Sequence, residues 1–194
     1  MTRTALGRTN FSGRKMCGSN DTGMSLGSPA FLDLGDMLVT SGKYEEASLA
    51  VLFLEGFRDG FGREEFTRLG SWFETGFVNW GHTDIACSLL IGPLLTDGTI
   101  APGDIAPWRA SRSKWMRRAV PVALIPYLKR TGDCKPLLAF IDDMMEDADR
   151  FVQQGLGWFL REAWKLEPAT VEAFLLHWKD AAPRLHPVCN REDG

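Results

Sequence analysis

From residue 30 onward, apolar side chains recur at three- and four-residue spacing, and no stretch alternates over more than a few residues. That period fits an α-helix and leaves no strand that could bury every second side chain. The pattern predicts helices over 44–58, 63–77, 80–95, 113–130, 134–147, 149–166 and 168–180. Stop signals separate them: Gly60 and Gly62, Thr96 to Gly98, Pro102-Gly103, Thr131-Gly132, and Pro168 at the start of the last helix. The fold class is all-α. Helices opening near 80, 113 and 149 are 33 and 36 residues apart, close to the length of a two-helix repeat. Each carries a small residue (Ala86, Ala119, Gly155) that lets a neighbouring helix approach closely. The spacing predicts a HEAT-like helical-repeat superhelix, an α-solenoid, in preference to a closed four-helix bundle.

Residues 1–28 have no such period. They are rich in Gly, Ser and Thr and bury too little apolar surface to offset the entropy of ordering. A flexible or irregular lead-in is expected there, followed by a single helical domain over 29–194. No apolar run approaches the ~20 residues of a membrane span. The first residues also lack the apolar stretch of a secretory signal, so a cytoplasmic protein is expected. The cysteines (Cys17, Cys87, Cys134, Cys189) form no close pair, and His82, His177 and His186 complete no zinc set. No metal, cofactor or disulfide is expected.

A rotation of 100° per residue assigns each side chain to a helix face. In the helix from 149, Val152, Leu156, Phe159, Leu160 and Ala163 share one face, while Trp158 falls with Gln154, Arg161 and Lys165. In the helix from 80, Ile85, Ala86, Leu89 and Leu90 point inward, and Trp80 and Asp84 lie one turn apart on the other side. Outward tryptophans invite a functional reading, because so large an apolar surface is costly to leave in water. The structural alternatives are that Trp158 packs on a neighbouring helix and that Asp84 is a first-turn acid favoured by the helix dipole.

Charge is distributed unevenly. The chain as a whole carries a net charge of −3. Between Trp108 and Arg130, however, lie Arg109, Arg112, Lys114, Arg117, Arg118, Lys129 and Arg130, with no acid among them. The wheel puts Met116, Val120, Ala123, Leu124 and Tyr127 inward and Lys114, Arg118 and Lys129 outward. A cationic run is usually a solvated face, but this one exceeds what solubility requires, and Lys/Arg contacts to phosphate dominate nucleic-acid affinity. The acidic total is therefore no argument against a DNA partner, since acidic flanks would confine contacts to the cationic strip.

Three stretches carry a family resemblance. Asn79-Trp80-Gly81-His82-Thr83-Asp84, Trp115-Met116-Arg117-Arg118-Ala119 and the string from Phe151 through Gly157-Trp158-Phe159-Leu160-Arg161-Glu162 resemble the AlkD-like DNA alkylation repair family. The resemblance runs from about residue 35 to the C-terminus, where Arg191-Glu192 is similar to the family's terminal motif. It implies a superhelix cradling duplex DNA on a concave face, with Asp84 catalytic, Trp80 and Trp158 flanking the lesion nucleotide, and Arg118 on the backbone. Lys114, Arg117, Arg161 and Lys129 are the further cations expected on phosphate.

The implied activity is release of cationic N3- or N7-alkylated purines from double-stranded DNA by a monofunctional glycosylase acting as a monomer. The residue types suit that chemistry. A positively charged purine is already a good leaving group, so one carboxylate near the sugar suffices to stabilise an oxocarbenium-like centre. Tryptophan faces stabilise a cationic base by about 0.5–2 kcal/mol each. Two other readings stay open on the residues alone: a non-catalytic HEAT-like protein binding damaged or branched DNA, and a protein-interaction scaffold with tryptophan anchors.

Overall fold

The computed structural model describes residues 28–179, which hold nine α-helices, shorter helical turns and no strand. In order these are α1 (Ser28–Thr40), α2 (Tyr44–Glu55), α3 (Arg63–Ser71), α4 (Trp80–Ala86), α5 (Gly92–Asp97), α6 (Lys114–Thr131), α7 (Lys135–Ile141), α8 (Arg150–Leu166) and α9 (Pro168–Lys179). The chain is all-α, as the periodicity requires. The lead-in expected over 1–28 lies outside the described residues except for Ser28, which opens α1.

Irregular turns complete several of the expected helices. A π-turn over Trp72–Gly76 extends α3, and another over Cys87–Ile91 joins α4 to α5 into the helix expected from residue 80. The second has an identifiable cause. Pro93 has no N–H for the Leu89 carbonyl, so the Gly92 N–H reaches back to the Cys87 carbonyl, and Arg58 Nη1 donates to Leu89 O at 3.4 Å. The periodicity did not single out α1 or the 3₁₀ stretch Pro102–Ala110. Gly35 interrupts the apolar pattern of α1 because a Cβ there would meet Trp72 Cη2 at 2.5 Å. Close packing decides that position over helix propensity.

Stacking follows the repeat. Among the described residues, every side-chain hydrogen bond across more than a dozen positions joins residues 29 to 41 apart, Cys134–Ala163 being the shortest span and Arg63–Asp104 the longest. Trp72 donates to Asp36, Arg117 to Asp147, and Trp178 to Asp142 at such spacings. A globular bundle would mix short and long separations, whereas a solenoid lets each repeat touch only the next. The architecture is the HEAT-like helical repeat. One contiguous core runs through it, with Phe73, Leu90, Ile91, Leu124, Leu128 and Phe159 fully buried.

Helices α4, α6 and α8 form a single row with α6 in the middle. They run parallel. Arg118 meets Asp84, and two turns later Pro126 lies against Gly92. On the other side Arg118 meets Phe151, and Lys129 meets Glu162. This row corrects the wheel reading of Arg118, which is only 5% exposed. A helix packed on both sides has two inward faces, and Arg118 occupies the one that a single stripe assigns to solvent.

Candidate functional site

Caps fix where each helix of the row begins. Asn79 Oδ1 accepts the Gly81 N–H at 2.6 Å and starts α4 at Trp80. Ser113 Oγ accepts from Met116 N and donates to Phe73 O at 2.6 Å, tying the start of α6 to the preceding repeat. Asp149 accepts the Phe151 N–H at 2.8 Å and starts α8. With the starts set, Asp84 and Arg118 each fall one turn into their helices, opposite one another.

The centre of the row is an ion pair with three hydrogen bonds. Arg118 Nε and Nη2 donate to Asp84 Oδ1 and Oδ2, both at 2.9 Å, and Nη1 donates to the Phe151 carbonyl at 2.6 Å. Two parallel N–H···O bonds fix the carboxylate plane as well as its position. Gly155 makes room for this arrangement. A Cβ there would stand 3.3 Å from Arg118 Cγ and 3.4 Å from Pro121 Cγ. The small residue noted in the sequence is where α8 closes over the arginine stem.

The two tryptophans differ. Trp80, one turn before Asp84, is 53% exposed. Trp158, one turn after Gly155, is half-buried and packs against the core, the structural alternative left open by the sequence. Next to the ion pair lies an aromatic couple that face counting missed: Trp115 and Phe151, ring centres 5.0 Å apart at 47°. Lys114 Nζ stands 4.8 Å from the Trp115 ring and 5.0 Å from the Phe151 ring, and Arg150 Cζ is 5.2 Å from Phe151. Both aromatics sit in the quoted motifs, and the repeat length would have paired them, since Arg118 and Phe151 are one repeat apart.

The cationic strip is largely neutralised, by acids that sequence order hides. Asp147 takes Arg117 Nε at 2.6 Å, while Arg117 Nη1 holds the Ser111 and Arg112 carbonyls. Asp143 lies 3.7 Å from Arg109, whose Nη1 also donates to Phe140 O. Glu162, itself buried, meets Lys165 at 2.7 Å, Lys129 at 3.2 Å and Arg161 at 3.7 Å. Within the strip, Arg112, Lys114 and Arg130 have no carboxylate partner among the described residues.

Lys165, together with Lys129, holds the Glu162 carboxyl below its ordinary value. A carboxyl whose pKa is lower in the folded state contributes stability above its unfolded pKa and loses it as pH falls through the folded one. Glu162→Gln therefore lowers the melting temperature at pH 7 and flattens its decline as pH falls below the ordinary carboxyl value of about 4.5. Melting curves across that range check this, and parallel curves for both proteins would contradict it.

His82 belongs to the core. It is 1% exposed, its Nε2 lies 3.0 Å from the Tyr44 carbonyl, and its ring stacks on Tyr44 at 4.6 Å. Because the partner is a carbonyl, Nε2 donates to it, and Nδ1 is buried without a hydrogen-bond partner among the described residues. Beside it, a Cβ at Gly81 would meet Tyr44 Oη at 2.9 Å. Among the described residues no group of three or more His, Cys, Asp or Glu side chains is placed to hold a metal ion. No described helix is long and apolar enough to cross a membrane.

A family model described as DNA alkylation repair enzyme matches residues 7–187, nearly the whole chain. No curated protein and no solved structure matches it.

Proposed function

We propose that this chain, which belongs to the DNA alkylation repair enzyme family, is a monofunctional glycosylase releasing cationic N3- or N7-alkylated purines from duplex DNA. The observation that carries the proposal is a carboxylate held rigidly by both oxygens, one turn from an exposed tryptophan. Asp84 is the catalytic group. An ionised carboxylate has about four lone-pair sites, and Arg118 uses two, one on each oxygen. The others face the deoxyribose as positive charge develops at C1′ and orient the attacking water. Preorganised charge of this kind stabilises a transition state without reorganisation at the moment of reaction.

Trp80 contacts the lesion nucleotide from the exposed side, and Trp158 lines the α8 side while anchoring to the core. Arg118 acts through Asp84: its burial and three hydrogen bonds make it a positioning residue, and no free fork is left for a phosphate. Arg117 and Lys129 are likewise committed to Asp147 and Glu162, which leaves Lys114 and Arg161 as the freer members of the expected phosphate set. The partner is double-stranded DNA, bound by a monomer along a concave face.

One observation favours a second reading. Engagement of both Asp84 oxygens by Arg118 also suits a protein that recognises damaged or branched DNA without cutting the glycosidic bond. Incubating the protein with N-methylated duplex DNA and measuring free 7-methylguanine and 3-methyladenine separates the two. Release of either base faster than from the same DNA without protein supports the glycosylase; duplex binding with no such acceleration supports the second reading.

A further inference from the structure

Structural neutralisation leaves an uneven residue of charge. Arg109, Arg117, Arg118 and Lys129 are each met by an acid about one repeat away. Among the described residues, Arg112 and Lys114 have no carboxylate or side-chain hydrogen-bond partner, and neither has Arg150 at the start of α8. Lys114 and Arg150 both approach the Phe151 ring, at 5.0 and 5.2 Å from its centre, so their charges are at most about 10 Å apart. That is within about one Debye length at 0.1 M salt, where like charges still repel.

Among the described residues no carboxylate forms an ion pair with either cation. Asp147 is taken by Arg117, Asp84 by Arg118, and Asp149 caps the Phe151 N–H. Each cation is also the first residue of its helix, where the dipole disfavours positive charge by about 0.3–1 kcal/mol. Neither first turn contains an acid. Stability does not call for lysine and arginine at these two positions, and their contact with the Phe151 ring only partly offsets the cost. An anion seated between them would remove the repulsion.

We infer that Lys114, against Trp115 and Phe151, and Arg150, against Phe151, form with Arg112 two positions before Lys114 a seat for one segment of the phosphodiester backbone of duplex DNA. The inference deepens the DNA reading above and rests on it. It places the backbone at the edge where α6 and α8 begin, next to Asp84, and excludes the paired cations further along α6. The seat is built from residues of two repeats, so it sets the register of the strand relative to Asp84 without reading sequence.

The experiment is binding of an unmodified duplex across a salt series, with melting curves confirming that each variant is folded. The wild type loses affinity steeply with salt. The Lys114→Gln/Arg150→Gln double variant lowers the magnitude of the slope of log K against log salt by about 2, one for each lost phosphate contact. Lys129→Gln, which removes an exposed charge already met by Glu162, leaves the slope unchanged. An unaltered slope in the double variant, or an equal fall with Lys129→Gln, overturns the seat and leaves the DNA reading standing. A changed slope in a protein that releases no methylated base keeps the seat and removes the glycosylase. Absence of any duplex binding by the wild type overturns both.

Discussion

Arg118→Met lowers stability in the absence of DNA by roughly 3–5 kcal/mol, the cost of breaking a buried ion pair by removing one partner. For a chain of this length that corresponds to a fall in melting temperature of very roughly 6–20 °C. The reason lies in what remains. Asp84 keeps a charge that is only 16% exposed, and the Phe151 carbonyl loses its donor, while the methionine stem still fills the space beside Gly155. A surface cation serving only as a phosphate contact would change stability by no more than about 0.5 kcal/mol. Arg118→Lys rescues little, because one ammonium cannot reach both Asp84 oxygens and Phe151 O at once. Adding Asp84→Asn to Arg118→Met recovers part of the loss by removing the stranded charge. Urea denaturation of the four proteins measures this; an Arg118→Met protein as stable as the wild type would show that the pair does not hold the row together.

The contrast between Arg118 and the tryptophans shows what a linear reading can and cannot see. Helix periodicity depends on nearest-neighbour burial, which repeats every turn, so helix positions and the all-α class were legible. The repeat was legible too, since the starts near 80, 113 and 149 became three parallel helices in one row. The wheel failed at α6 because it allots one buried stripe per helix, and a helix packed between two others has two. Charge failed for a related reason. Seven cations without a local acid looked uncompensated, yet Asp84, Asp143, Asp147 and Glu162 meet four of them from about a repeat away.

The π-turn at Cys87–Ile91 was less accessible, because Pro93 there acts through the Leu89 carbonyl and its distant donor Arg58. The aromatic couple Trp115–Phe151 escaped for the same cause as the acids. Its members are distant in sequence and adjacent only once the repeat closes. Asp84 was singled out through its spacing from Trp80, but its fixed orientation is a property of Arg118 and Phe151 together.

Asp84→Asn is the substitution that separates chemistry from binding. The amide keeps one oxygen toward Arg118 and nearly the same volume, so the row stays assembled at a cost smaller than that of Arg118→Met. What disappears is the negative charge that the proposed mechanism sets against C1′. Loss of one preorganised electrostatic contact of this type slows a reaction by about 10²–10³-fold. The proposed backbone contacts lie elsewhere, at Lys114 and Arg150, so duplex affinity is expected to stay within a few-fold of wild type. The direct measurement is single-turnover release of 7-methylguanine from methylated duplex by wild type and Asp84→Asn, at protein concentrations that saturate the DNA. Release by the wild type with a loss of at least about 100-fold in the variant, at unchanged duplex affinity, is the expected result. Equal release by the two proteins would contradict a catalytic Asp84.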